Sequence, residues 1–113
     1  MIFHVALESE LAAGTRDGKY TPARFARDGF VHCSPDEETA REVVRSYFAD
    51  AREPVLLLSI DPDRLTSEVR YEPPAPISGG GGEHRRAGLL FPHVYGPLDE
   101  LAIVDRRVIS GHK

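Results

Sequence analysis

Apolar and polar positions change period several times along this chain, and each change marks an element. Residues 2–6 alternate, with Ile2, His4 and Ala6 on one side and Phe3 and Val5 on the other, which predicts a short strand. Residues 8–13 suit a brief helix stopped by Gly14, and residues 15–28 read as loop with room for one helical turn. Alternation returns over residues 30–34, a second strand. The period then lengthens: Ala40, Val43, Val44, Tyr47 and Phe48 recur at i, i+3, i+4, i+7 and i+8, the apolar stripe of a helix. Ser34 is expected as its N-cap, with Pro35 at the first helical position and Glu37 completing a capping box.

Residues 55–60 are continuously apolar between Pro54 and Asp61-Pro62, the pattern of a central strand covered on both faces. Residues 61–65 suggest one helical turn, and residues 68–72 alternate as a further strand. Residues 73–90 hold three prolines and the run Gly79 to Gly82, so a long flexible loop is expected within the domain. Residues 101–104 and 108–109 supply one or two closing strand segments, and no segment repeats another.

Composition narrows the class. A chain of 113 residues, 41% hydrophobic and 28% charged, is expected to form a single α+β domain over residues 1–113. A formal net charge of −4 argues against bulk binding of duplex nucleic acid, while leaving room for a local site that takes one phosphate. Cys33 is the lone cysteine, so no internal disulfide can form and a reducing, cytoplasmic setting is the expectation. No basic leader followed by a long apolar run opens the chain, and no apolar run approaches the roughly 20 residues that span a bilayer. Neither secretion nor a membrane partner is expected.

The candidate chemistry lies in the histidines. In Gly29-Phe30-Val31-His32-Cys33-Ser34-Pro35, alternation puts Phe30, His32 and Ser34 on one face and Val31 and Cys33 on the other. His32 and Cys33 therefore point apart, and Cys33 reads as a small buried hydrophobe rather than a nucleophile. The Ser34 hydroxyl has a structural role as a cap, and it touches a ligand only as part of that helix terminus. A lone strand histidine is most often a satisfied core residue. Two of them, His4 and His32, among apolar neighbours point instead to a shared polar pocket, since buried polar groups need partners. His93 and Tyr95 share a side if residues 91–95 are extended, as Pro92 favours. Glu72 ends a strand and is a candidate catalytic carboxylate, with Arg70 two residues earlier as its neighbour or as an anion contact. Arg85 and Arg86, after the glycine run, are candidate anion contacts. The glycine run itself is followed by Glu83-His84 and lacks the Gly-Lys-Ser/Thr ending of a phosphate loop. No metal is expected, because the histidines are far apart and none has ligand spacing such as HExxH.

Taken together, these blocks resemble a small bacterial family, the domain of unknown function numbered 952. Ile2-Phe3-His4-Val5, Gly18-Lys19-Tyr20, Gly29 to Ser34, Val55 to Asp61, Val69-Arg70-Tyr71-Glu72 and Phe91 to Leu98 carry the likeness through most of the chain. Members usually have a tryptophan in the first helix, which this chain lacks, and tyrosine where Phe3 stands. The resemblance implies a compact ADP-ribosyltransferase-like fold, with small split sheets, one main helix and a dinucleotide cleft. In motif it is most similar to the RNA 2′-phosphotransferases. By that likeness NAD is the implied cofactor, His4 would contact the adenosine ribose, and His32 to Ser34 would flank the nicotinamide. The transferase glutamate has no clear counterpart beyond Glu72 or His93.

The expected function is therefore an enzyme acting on a nucleotide-like small molecule by ADP-ribosyl or phosphoryl transfer. His4, His32, Glu72 and His93 are its catalytic candidates, and Ser34, Arg70, Tyr95, Arg85 and Arg86 its ligand contacts. The alternatives are a non-catalytic module that binds such a ligand and an interaction protein with no ligand.

Overall fold

The computed structural model describes residues 1–73 and 89–109. Its elements run β1 (Ile2–Leu7), α1 (Glu8–Gly14), β2 (Thr15–Arg16), β3 (Lys19–Tyr20), α2 (Phe25–Asp28), β4 (Val31–His32), α3 (Glu37–Tyr47), β5 (Val55–Ile60), β6 (Glu68–Glu72), β7 (Phe91–Tyr95), β8 (Leu98–Asp99) and β9 (Ile103–Val108). The described strands form three small antiparallel sheets, ordered β1-β5-β9, β2-β3-β8 and β4-β7-β6, in an α+β arrangement with few helices.

Strand alternation builds two apolar layers back to back. Ile2 and Ala6 of β1, with Leu56, Leu58 and Ile60 of β5, pack on Tyr20, Val31, Cys33, Val94 and Leu98 from the two smaller sheets. From the other face, Val5, Val55 and Leu57 pack on Ala40, Val43 and Val44 of α3. The continuous apolar run of β5 is explained by its place: it lies between β1 and β9 and is buried on both faces. Each fully covered Leu or Ile there contributes about 1.5–3 kcal/mol relative to exposure.

Two contacts tie the first sheet to the third. Phe3 and Ser34 exchange backbone hydrogen bonds, Phe3 N–H to Ser34 O at 2.9 Å and Ser34 N–H to Phe3 O at 2.6 Å. Beside them, the His4 side chain reaches the His32 carbonyl. No strand pairing continues from this point, so the two sheets stay separate and a cleft lies between them.

Several expectations need correction. Ser34 does not cap α3. Its backbone is held in the bridge to Phe3, and the N-cap is Asp36, whose carboxylate accepts from Thr39 N–H at 2.7 Å. Pro35 thus lies before the helix, and Glu37 is its first residue and bonds Arg41 and Arg107 instead of closing a capping box. Within residues 15–28, β2 and β3 form a hairpin in place of the expected loop, and α2 is the one helical turn for which the sequence leaves room. The strand expected over residues 30–34 is regular only at Val31–His32, and Leu101 sits in a 3-10 turn ahead of β9. Within the expected 73–90 loop, the glycine run, Arg85 and Arg86 lie outside the described residues. Replacing Asp36 with Ala is expected to lower stability by about 1 kcal/mol through loss of the cap, measured by urea denaturation.

Candidate functional site

The third sheet has two unlike faces. Val69, Val94, Val31 and Cys33 turn toward the core, and Cys33 is fully buried, which pushes its thiol well above the usual range and keeps it protonated. The opposite face collects Phe30, His32, His93 and Tyr95. Register makes this grouping: His32 lies directly across from His93, and Val31 across from Val94. Phe30 then stacks on His93 with ring centroids 4.1 Å apart, and also contacts His32 and Tyr95. The two imidazoles are 6.0 Å apart, centroid to centroid.

Each imidazole is held by its own carboxylate. His32 Nε2 lies 2.9 Å from Asp28 Oδ2, and His93 Nδ1 lies 2.7 Å from Glu72 Oε1. A carboxylate only accepts, so those nitrogens carry hydrogen, and His32 Nδ1 and His93 Nε2 are the atoms left for proton exchange. Tyr95 donates its hydroxyl to the same Glu72 Oε1 at 2.6 Å. These two donors hold the Glu72 carboxyl below the usual carboxylate range, and Glu72 in turn pushes the Tyr95 phenol up. Burial lowers the basicity of His32, and the Asp28 hydrogen bond opposes that effect.

His4 is the third imidazole. Its Nδ1 lies 2.6 Å from the His32 carbonyl oxygen, an acceptor, so Nδ1 carries the hydrogen and Nε2 is the bare nitrogen. Complete burial lowers its pKa to about 4, outweighing the carbonyl hydrogen bond that favours the cation.

A cavity of about 700 Å³ opens along this edge, within the range of small-ligand sites. His4, His32, Ser34 and His93 all line it, so the proposed sharing of one pocket by distant histidines matches the geometry. Glu72, Arg70 and Tyr95 stand beside the cavity rather than in its lining. Arg70 is bound by Glu68 through two hydrogen bonds, and its guanidinium lies 4.6 Å over the Tyr95 ring. Sequence reasoning missed Asp28, Phe30, Glu10 and Arg24. The spacing of Asp28 four residues before His32 was the available signal, but it works across a turn, where Gly29 takes φ 84°, and not along a helix. Among the described residues, no group of three or more His, Cys, Asp or Glu side chains is placed to hold a metal ion. No helix among them is long and apolar enough to cross a membrane.

With this geometry in view, comparison identifies the family. The chain belongs to the family described as "Protein of unknown function (DUF952)", whose model matches residues 5–106. The crystal structure of protein CC0527 from Caulobacter crescentus has the same fold, with a TM-score of 0.72 and 24% identity over 95% of this chain and 83% of that one. A double mutant of CC0527 matches equally, with a TM-score of 0.72 at 23% identity over the same shares. The sequence matches no curated protein.

The basicity of His4 generates a stability prediction. Its folded pKa of about 4 lies below the ordinary 6.5, so the unfolded chain binds the proton more readily between those values. The stabilisation is complete above pH 6.5 and is lost as pH falls toward 4, by about 3 kcal/mol in all. His4→Asn, which keeps a donor for the His32 carbonyl and does not titrate, is expected to lose correspondingly less stability than the wild type over that window. Urea denaturation at stepped pH measures the difference.

Proposed function

We propose that this protein is an acid–base enzyme acting on a nucleotide-like ligand, with His32 and His93 as its proton-handling pair. One observation carries the reading: two imidazoles face each other across paired strands at one cavity, each oriented by a carboxylate. A carboxylate behind a histidine fixes the tautomer and stabilises the imidazolium formed when the outer nitrogen takes a proton.

Transfer at phosphorus uses such a pair directly. The neutral imidazole removes the proton from an attacking hydroxyl or water as its oxygen bonds to phosphorus. The protonated partner gives its proton to the departing oxygen as the old P–O bond breaks. Burial favours the neutral form of His32, which suits it to the base role, and the acid role is assigned to His93, the other imidazole of the pair. Glu72 is then a positioning residue, since it lies behind His93 and outside the cavity lining.

In a second reading, the parted sheets, with His4, His32 and Ser34 along one cleft, form an ADP-ribosyltransferase-like arrangement with NAD as its ligand. In that case His4 and the His32–Ser34 segment would hold the dinucleotide. The fit is incomplete. Asp28 and Glu72 are turned onto imidazoles and do not line the cavity, which leaves Glu10 of α1 as the carboxylate in its described lining. No step is therefore routed through NAD, and phosphoryl chemistry is the better supported branch.

The test uses two probes, 2′,3′-cyclic AMP for phosphodiester opening and NAD for nicotinamide release. Opening of the cyclic ester is expected, with kcat/KM reduced about 10²–10⁴-fold in His32→Ala and in His93→Ala. Circular dichroism checks that both variants remain folded. Saturable binding of either probe without turnover would leave a binding module and overturn the enzyme reading. Nicotinamide release would move the chemistry to the ADP-ribosyl branch.

A further inference from the structure

Several cations among the described residues are held in ion pairs. Lys19 pairs with Asp99, Arg41 with Glu37, Arg64 with Asp61, Arg70 with Glu68, and Arg107 with Glu37. Arg24 differs. Like Arg16, Arg27, Arg45 and Arg52 it is without an ion pair among the described residues, but of the described arginines and lysines it is the one that lines the cavity. A guanidinium at a cavity with no acidic partner is free to take an anion from outside.

Its setting is specific. Arg24 precedes α2, whose last residue is Asp28, the carboxylate partner of His32. Arg24 is close enough to His32 for its charge to oppose protonation of that ring. An oxyanion between them removes the opposition, because it accepts from the guanidinium fork and favours hydrogen on His32 Nδ1 at once. His93 Nε2, across the strand pair, offers a third direction. The two-pronged guanidinium and whichever imidazole carries the proton offer donors in more directions than the two oxygens of a carboxylate use, which suits a phosphate monoester. The same cavity has an apolar remainder that includes Phe25, Phe48 and Phe91, which suits a flat, uncharged body attached to the anion.

We propose that Arg24 is the anion anchor of this cavity, and that the ligand presents a terminal phosphate shared between the Arg24 guanidinium and the His32 imidazole. The assignment deepens the acid–base reading and rests on it for the part played by His32. It replaces Arg70 as the anion contact, since Arg70 is already held by Glu68 and lies outside the lining.

Binding, not turnover, tests it, which keeps its fate separable from that of the dyads. Isothermal titration with AMP, adenosine and inorganic phosphate is run on the wild type, Arg24→Gln and Arg27→Gln. Arg27 is exposed on the same short helix but does not line the cavity. The wild type is expected to bind AMP at least tenfold more tightly than adenosine. Arg24→Gln should abolish that preference while keeping its adenosine affinity, and Arg27→Gln should retain the preference. Inorganic phosphate should compete with AMP on the wild type and not on Arg24→Gln. Equal affinity for AMP and adenosine, an unchanged preference in Arg24→Gln, or no binding of any probe overturns the anchor. Turnover of 2′,3′-cyclic AMP that needs His32 and His93, found together with any of those results, would leave the acid–base pair standing without Arg24.

Discussion

The contacts that tie the first sheet to the third decide where this molecule has its cavity. At Phe3 and Ser34, β1 and the end of β4 exchange one pair of backbone hydrogen bonds, and the His4 imidazole adds a third link to the His32 carbonyl. Continued pairing would have merged the sheets and filled the space with ladder. Instead the pairing stops, and the cleft beyond it receives whatever side chains the neighbouring elements turn inward. His4 is thus both a fastening and a wall of the cavity. Burial disfavours the charged form of its ring, so the stability of this fastening depends on the protonation of one residue.

The period of two in a strand does double duty in the third sheet. Inward positions of β4 and β7 complete the apolar core through Val31, Cys33 and Val94, while the alternate positions carry Phe30, His32, His93 and Tyr95. A shift of one residue in β4 would bury the imidazole and expose the valine, so the core itself enforces the register that sets His32 opposite His93. The site needs no dedicated scaffold. It is the reverse side of a packed surface, and its precision is that of the core.

This division explains how much was legible beforehand. Strand β5 and the stripe of α3 were clear, because burial on two faces or on one leaves an unmistakable pattern in the apolar positions. The meeting of His4 and His32 could be anticipated from two histidines among buried neighbours. The hairpin at residues 15–20 could not, because its strands are only two residues long and show no alternation. Its signal was Asp17-Gly18, whose positive φ values of 55° and 78° make the tight turn. The cap of α3 was misplaced by two residues because Ser34 looks like a cap by type, while its backbone is claimed by a strand partner 31 positions away. Asp28 and Glu72 escaped pairing with their histidines for the same reason: their partners are set by a turn and by sheet register, which no local pattern displays.

Glu72 shows why residue type alone misleads about chemistry. A carboxylate at a strand end near a cleft invites a catalytic role, yet Glu72 accepts from both His93 and Tyr95 at one oxygen. An acid so engaged is a poor base toward anything else, because both donors stabilise its ionised form. Its influence passes through the imidazole it holds. Asp28 stands in the same relation to His32, so these two carboxylates lie behind the rings, while Glu10 of α1 is the carboxylate in the described cavity lining. That ordering, acid behind and imidazole in front, holds for both rings, and it is the feature on which the proposed proton-handling role of His32 and His93 rests.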